Sequence, residues 1–367
     1  MTHHDAASSV APICLYIGTP CVLASRHVSH AIHRDHFPDR PLTRPLFVLG
    51  VSRSGTTLLR VVLDRSPGIA IPDESFFIPL LARRHRGEVD RERFLGDVSR
   101  LPPPAAWGLS AADVAVRLRP GMRAGEAIAA IFEAQAAKEG KPRWGDKTPM
   151  YMRHLPLLER LFPVAQYVHL IRDGRDAALS FLRMPEGTFT RTWAHPDTAA
   201  EFACLWRTEI AAARELGRRV GPSRYFEVRS ADLVTELEVV VKRICEFAHL
   251  PYERSMLEFA GAVDVSEKPH QQRLLEPPRS GVRDWRTQMA AEDVGAFDAI
   301  AGDLLAALGY ELSRPPTPSA ARRTLALARY RATLGAWNAA VSANQRSPLW
   351  RRRHPPLTTL AARPGRG

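Results

Sequence analysis

The 367-residue chain carries 51 Lys plus Arg against 39 Asp plus Glu, a net charge of +12, with 45% hydrophobic and 25% charged residues. That is the balance of an ordinary globular protein, long enough for one large α/β domain or two smaller ones. The positive charge suits anionic ligands, but no basic patch interleaved with aromatics marks a nucleic-acid reader, so no nucleic-acid partner is expected.

In chain order, residues 1–44 read as a leader, partly disordered. Their mildly apolar stretch 10–24 contains Pro12, Gly18 and Pro20 and has no Lys or Arg before it, so a signal peptide is not expected. Strand and helix patterns alternate over 45–312, the main domain. Phe47-Val48-Leu49 reads as a strand. It breaks into Gly50-Val51-Ser52-Arg53-Ser54-Gly55-Thr56-Thr57, and helical apolar spacing follows from Leu58. A strand, a tight polar loop and a helix start form an anion cradle, with free backbone N–H groups and a favourable helix dipole. Gly50, Gly55 and Thr57 keep the spacing of the P-loop G-x-x-x-x-G-K-[ST]. Thr56, however, stands where a nucleotide triphosphatase needs Lys, and the cation is Arg53, inside the loop. A plain strand–turn–helix is the bland alternative.

The apolar run Ile69-Ala70-Ile71 leads to Asp73-Glu74-Ser75. In a parallel sheet this end faces the ligand crevice, which places Glu74 opposite Arg53. Alternatively, Glu74 or Asp73 caps a helix beginning near Ser75. Segments 84–143 and 184–200 are the least strand-like and are the expected seat of acceptor-binding helices and lids. Phe76, Phe77, Trp107 and Phe189 are candidates to line an apolar pocket there, or to pack in the core. Lys147, one of only five lysines, lies in Trp144-Gly145-Asp146-Lys147-Thr148-Pro149. It is either an active-site cation or the partner of Asp146.

A second buried strand, Tyr167–Ile171, ends at Arg172-Asp173-Gly174-Arg175-Asp176 and gives way to a helix carrying Ser180. Arg172 can hold a phosphate through a forked pair of hydrogen bonds, or pair with Asp173 or Asp176. Helices are expected near 124–138, 150–161, 199–219, 231–249 and 291–308, and a strand through Arg224–Arg229. Residues 313–367 form a basic helical tail. Its stripe Leu327, Tyr330, Leu334, Trp337 and Val341 could dock on the domain, form a homodimer or touch an anionic membrane peripherally. Cys14, Cys21, Cys204 and Cys245 form no C-x-x-C pair, so no metal site is expected. No apolar run approaches the roughly 18 residues of a membrane-spanning helix, and a cytoplasmic protein is expected.

Taken together, these motifs resemble the sulfotransferases that use 3′-phosphoadenosine 5′-phosphosulfate (PAPS). Arg53-Ser54-Gly55-Thr56-Thr57 fits the family's [KR]-[ST]-G-T-T at every position. The resemblance implies an α/β fold, a P-loop-like three-layer sandwich with a central parallel sheet flanked by helices. It implies PAPS as co-substrate, no metal, and a hydroxyl (or amine) acceptor on a small molecule, lipid or glycan. Arg53, Ser54, Gly55, Thr56, Thr57 and Leu58 would hold the 5′-phosphosulfate. Arg172 and Ser180 would hold the 3′-phosphate. Lys147 matches a K-x-P segment whose Lys reaches the leaving-group side. Arg279-Ser280-Gly281-Val282-Arg283-Asp284-Trp285 partly matches R-K-G-x-x-G-D-W, with Ser280 for Lys and one residue fewer, which makes Arg279 a 3′-phosphate candidate and Arg283 a lesser one.

The segment from Gly50 through Asp64, Glu74 and Ile78-Pro79 is most similar to the tyrosylprotein branch, where a Glu at the place of Glu74 is the general base. That branch has an Arg where this chain has Phe76, which favours a more apolar acceptor. Ser230 replaces the Tyr of the family's R-Y-E-D-L. No His occupies the motif of the family's His bases. His154, His169, His195 and His249 rank below Glu74, with His195 in reserve. A P-loop kinase of small molecules, protein-tyrosine sulfation and a non-catalytic nucleotide-binding module are the alternatives.

Overall fold

The computed structural model describes residues 44–184, 195–259, 283–313 and 320–347, together with Leu349. Among the described residues, four parallel strands form one sheet in the order β2-β1-β3-β4: β1 is Leu46–Leu49, β2 Gly145–Asp146, β3 Gln166–Ile171 and β4 Tyr225–Arg229. β1 and β3 are buried at every position, as expected of central parallel strands covered on both faces.

The period of two along these strands assigns each side chain to a layer. Phe47, Leu49, Tyr167 and Ile171 join a core with the helices Ala124–Lys138, Ala199–Val220 and Ala291–Ala307. Leu46, Val48, Val168 and Leu170 face the opposite way, onto the helices Thr56–Asp64 and Leu237–Ala248. Helices, sheet and helices therefore make the expected three-layer sandwich. The strand order switches at β1, because the chain goes out to β2 on one side and then adds β3 on the other, so the crevice beyond the carboxyl ends of β1 and β3 is the natural ligand site.

Several boundaries differ from expectation. Ile69–Ile71 is not a full strand; Ala70 alone bridges to Trp144. The 150–161 segment divides into a 3-10 turn, Pro149–Arg153, and a helix, Leu155–Leu161, with Pro156 in its first turn. The 231–249 segment divides at Glu236, whose backbone is non-helical. The long helix Ala320–Arg346 packs on the helices Ala199–Val220 and Ala291–Ala307. Trp337 is 1% exposed, Tyr330 is buried, and Leu327 and Leu334 pack beside them. Among the described residues no helix is long and apolar enough to cross a membrane.

Candidate active site

The loop after β1 is built for close approach to an anion. Gly50 leaves no room for a side chain: a Cβ there would lie 2.6 Å from Thr56 Cγ2 and 2.9 Å from Leu170 O. The Ser54 amide donates to Val51 O at 3.1 Å and closes the turn. Arg53 and Gly55 both take positive φ, 72° and 95°. Gly55 does so at little cost, whereas Arg53 holds a strained backbone of the kind found at ligand clamps. The helix Thr56–Asp64 begins at Gly55 with no side-chain cap, leaving first-turn N–H groups for a ligand. Ser54 is fully buried, and its Oγ has no hydrogen-bond partner among the described residues.

Arg53 and Arg172 tie this loop to the end of β3. Arg53 Nε donates to Ser180 Oγ at 3.0 Å, and Arg172 Nη1 donates to the Arg53 carbonyl at 3.1 Å. The alternative partner of Arg172, Asp176, is 3.9 Å away. Arg172 therefore keeps a long ion pair with Asp176, while Asp173 goes to the neighbouring Arg175, which is fully buried, pairs with Asp173 at 2.7 Å and Asp298 at 3.3 Å, and stacks 3.6 Å from the Trp285 ring centroid. Burial depresses Arg172's proton affinity, Asp176 and Asp173 oppose this, and the like charge of Arg283 adds to the depression. Arg283 is thus close enough for its charge to act on Arg172. Arg279 lies outside the described residues.

Lys147 follows β2, and its side chain is almost wholly buried. Its ammonium pairs with Glu74 Oε1 and donates to Thr57 Oγ1 at 3.2 Å. Asp146 is therefore not its partner. The Glu74 side chain remains 28% exposed, open to an acceptor. The capping reading fails for both acids. Asp73 pairs with Arg60 at 3.2 Å, and the helix Ile78–Arg84 starts at Phe77 with no side-chain cap. Next to Glu74, Phe76 takes φ 55°, a strained conformation for a bulky residue. Ser75 is anchored from behind: its amide donates to Thr148 Oγ1 at 3.0 Å, and its hydroxyl hydrogen-bonds Tyr151 Oη at 2.7 Å.

The acceptor-pocket candidates separate. Phe77 is fully buried and packs against Phe132 and Trp107, so it belongs to the core. Trp107 is half-buried on the same aromatic cluster, and Phe76 is half-buried against the core. Phe189 lies outside the described residues. The histidines are placed elsewhere. Burial pushes both His154 and His169 down to about 3, and His169 Nδ1 bonds Tyr225 Oη at 2.6 Å. His249 closes the helix Leu237–Ala248 in a left-handed conformation, and His195 lies over Phe181. Among the described residues no group of His, Cys, Asp and Glu could hold a metal ion.

The model of the sulfotransferase family matches residues 45–254. The chain belongs to this family. Its similarity to curated relatives extends past the matched region. Protein-tyrosine sulfotransferase A of Caenorhabditis elegans is 25% identical over 283 residues, 74% of this chain and 68% of that one. Nodulation protein NoeE of Sinorhizobium fredii (strain NBRC 101917 / NGR234) is 28% identical over 307 residues, 74% of this chain and 67% of the relative. Among solved structures, the sulfotransferase domain from the curacin biosynthetic pathway superposes with a TM-score of 0.51 at 21% identity, covering 74% of this chain and all of that domain. The likeness confirms the α/β sandwich of this sulfotransferase.

Proposed function

We propose that this sulfotransferase moves the sulfuryl group of PAPS to a hydroxyl of a small-molecule, lipid or glycan acceptor. What supports the reading is the gathering of cations at the loop after β1 and the end of β3. Arg53 and Ser54 with Lys147 would take the 5′-phosphosulfate, and Arg172, helped by Arg283, would take the 3′-phosphate. A nucleotide with both a 5′-phosphosulfate and a 3′-phosphate needs two cationic sites. The loop fits an anionic group by its donors: uncapped amides, a buried Ser54 hydroxyl with no partner among the described residues, and glycines that permit close approach.

The residues divide the chemistry between them. Glu74 accepts the proton of the acceptor hydroxyl as that oxygen bonds to sulfur and the bond from sulfur to the phosphate oxygen breaks. Lys147 sits between Glu74 and Thr57, where an ammonium can balance charge on the departing phosphate oxygen. Arg53 and the helix N-terminus orient the same phosphate. A kinase reading is disfavoured by Thr56 in the Lys position. Sulfation of protein tyrosine is the second reading, supported by the tyrosine-sulfotransferase relatives at 25% identity. Phe76, two residues after Glu74, supports a more apolar acceptor instead.

Thermal unfolding with 3′,5′-adenosine bisphosphate or with ATP and Mg²⁺ tests the donor. A ligand at about 100 times its Kd stabilises by about 2.7 kcal/mol. The bisphosphate should stabilise without metal. Stabilisation by ATP and Mg²⁺ alone would overturn the reading.

A further inference from the structure

One buried acid at the site has no part in the chemistry above. Asp146 ends β2, one residue before Lys147, and is 1% exposed. Neither of its carboxyl oxygens has a hydrogen-bond partner among the described residues. The charged and titratable groups around it are Glu74, Lys147 and Tyr151, with the hydroxyls of Ser75 and Thr148. Thr148 Oγ1 accepts from the Ser75 amide and Ser75 Oγ bonds Tyr151 Oη, and both hydroxyls lie close enough to favour the Asp146 anion in part. The Lys147 ammonium is turned to Glu74 and Thr57.

Neither flanking hydroxyl meets Asp146 in good hydrogen-bond geometry, and their help does not offset full burial, so the carboxylate is disfavoured against the neutral acid. We propose that Asp146 is a positioning residue that serves the site as a neutral carboxylic acid. Uncharged, it leaves Lys147 wholly to Glu74 and Thr57 and keeps a second anion out of the donor site. Burial, the largest cause, pushes its ionisation up to about 7, with Glu74 adding to the rise and Ser75, Thr148 and Lys147 opposing it.

The consequence has a definite sign. With Asp146 neutral, the Glu74–Lys147 pair is balanced. Once Asp146 ionises, two carboxylates share one ammonium, and the site gains a negative charge that opposes an anionic donor. Donor affinity is therefore high at low pH and falls as pH rises through neutrality. This inference rests on the PAPS reading and adds a proton to it.

The test is calorimetric titration of 3′,5′-adenosine bisphosphate into the wild type and Asp146→Asn at about pH 6 and about pH 8.5. Comparing the two proteins cancels ionisation of the ligand's own phosphates. The wild type should lose about tenfold more affinity than the variant over this range. Equal losses overturn the proposal. Infrared difference spectroscopy of the two proteins supplies a second readout, independent of ligand and of activity. A protonated-carboxyl band present in the wild type at about pH 6 and absent from the variant is expected; no such difference overturns the proposal even if the variant folds poorly. Failure of the bisphosphate to bind at either pH would instead refute the donor reading and leave the infrared result to decide the state of Asp146.

Discussion

The ammonium of Lys147 bridges the carboxylate of Glu74 and the hydroxyl of Thr57, a residue in the first turn of the helix that follows the anion loop. The expected base is thus wired to the expected phosphate cradle through one buried cation. Lys147→Met keeps most of the apolar stem and removes the charge. Turnover should fall by about 10²-fold or more, the scale of losing one preorganised charge-stabilising group. Unfolding in denaturant should show a much smaller change, because Glu74 keeps solvent access. Steady-state rates with denaturation curves check this.

Arg172 secures the Arg53 carbonyl and stands near Arg283. Arg172→Ala should weaken 3′,5′-adenosine bisphosphate about 10- to 100-fold, the worth of one or two charged hydrogen bonds. It should weaken 5′-adenosine monophosphate much less. Calorimetry with both nucleotides reads the difference, and equal losses would show that Arg172 only braces the loop.

Asp146 also makes stability depend on pH. Its folded-state ionisation is raised from an ordinary 3.8 to about 7. Between these values the folded chain holds a proton that the unfolded chain releases. Its contribution is fully present below about pH 4 and is lost as pH rises to about 7. Relative to Asp146→Asn, the wild type should lose stability over this range, by up to about 4 kcal/mol. Denaturation midpoints of both proteins at several pH values test the slope; a difference independent of pH contradicts it.

The tail helix offers a stability test. Trp337 is 1% exposed against the domain, so Trp337→Ala should cost about 3–5 kcal/mol. Loss of less than about 1 kcal/mol, the range of an exposed site, would mean that the helix does not dock this way in solution.

Much of this arrangement was legible because it is local. The β1 loop and the turn after β3 each compress strand, glycine, cation and helix start into a dozen residues, whereas the uniformly apolar Phe47, Val48 and Leu49 gave no sign of which layer each faces. The tail stripe was visible because it too is local. What escaped was set by pairing across the chain. β2 has only two residues, Gly145 and Asp146, and no apolar pattern to announce a strand. The partner of Lys147 is Glu74, 73 positions away, rather than the adjacent Asp146. Phe77 reads as a pocket aromatic in sequence, yet its ring packs on Phe132 in the core. Asp146 reads in sequence as the neighbour of Lys147, and only the folded structure shows that it is 1% exposed.

The most direct test of the central claim is transfer from sulfur-labelled PAPS to acceptor mixtures of lipids, glycans and phenols, by the wild type and Glu74→Gln. The wild type should label a hydroxyl-bearing product. Glu74→Gln should bind the bisphosphate within about threefold of wild type yet transfer about 10²- to 10⁴-fold more slowly, the loss expected for a general base. Transfer by Glu74→Gln at the wild-type rate, or no labelled product from the wild type with any acceptor, would contradict the account.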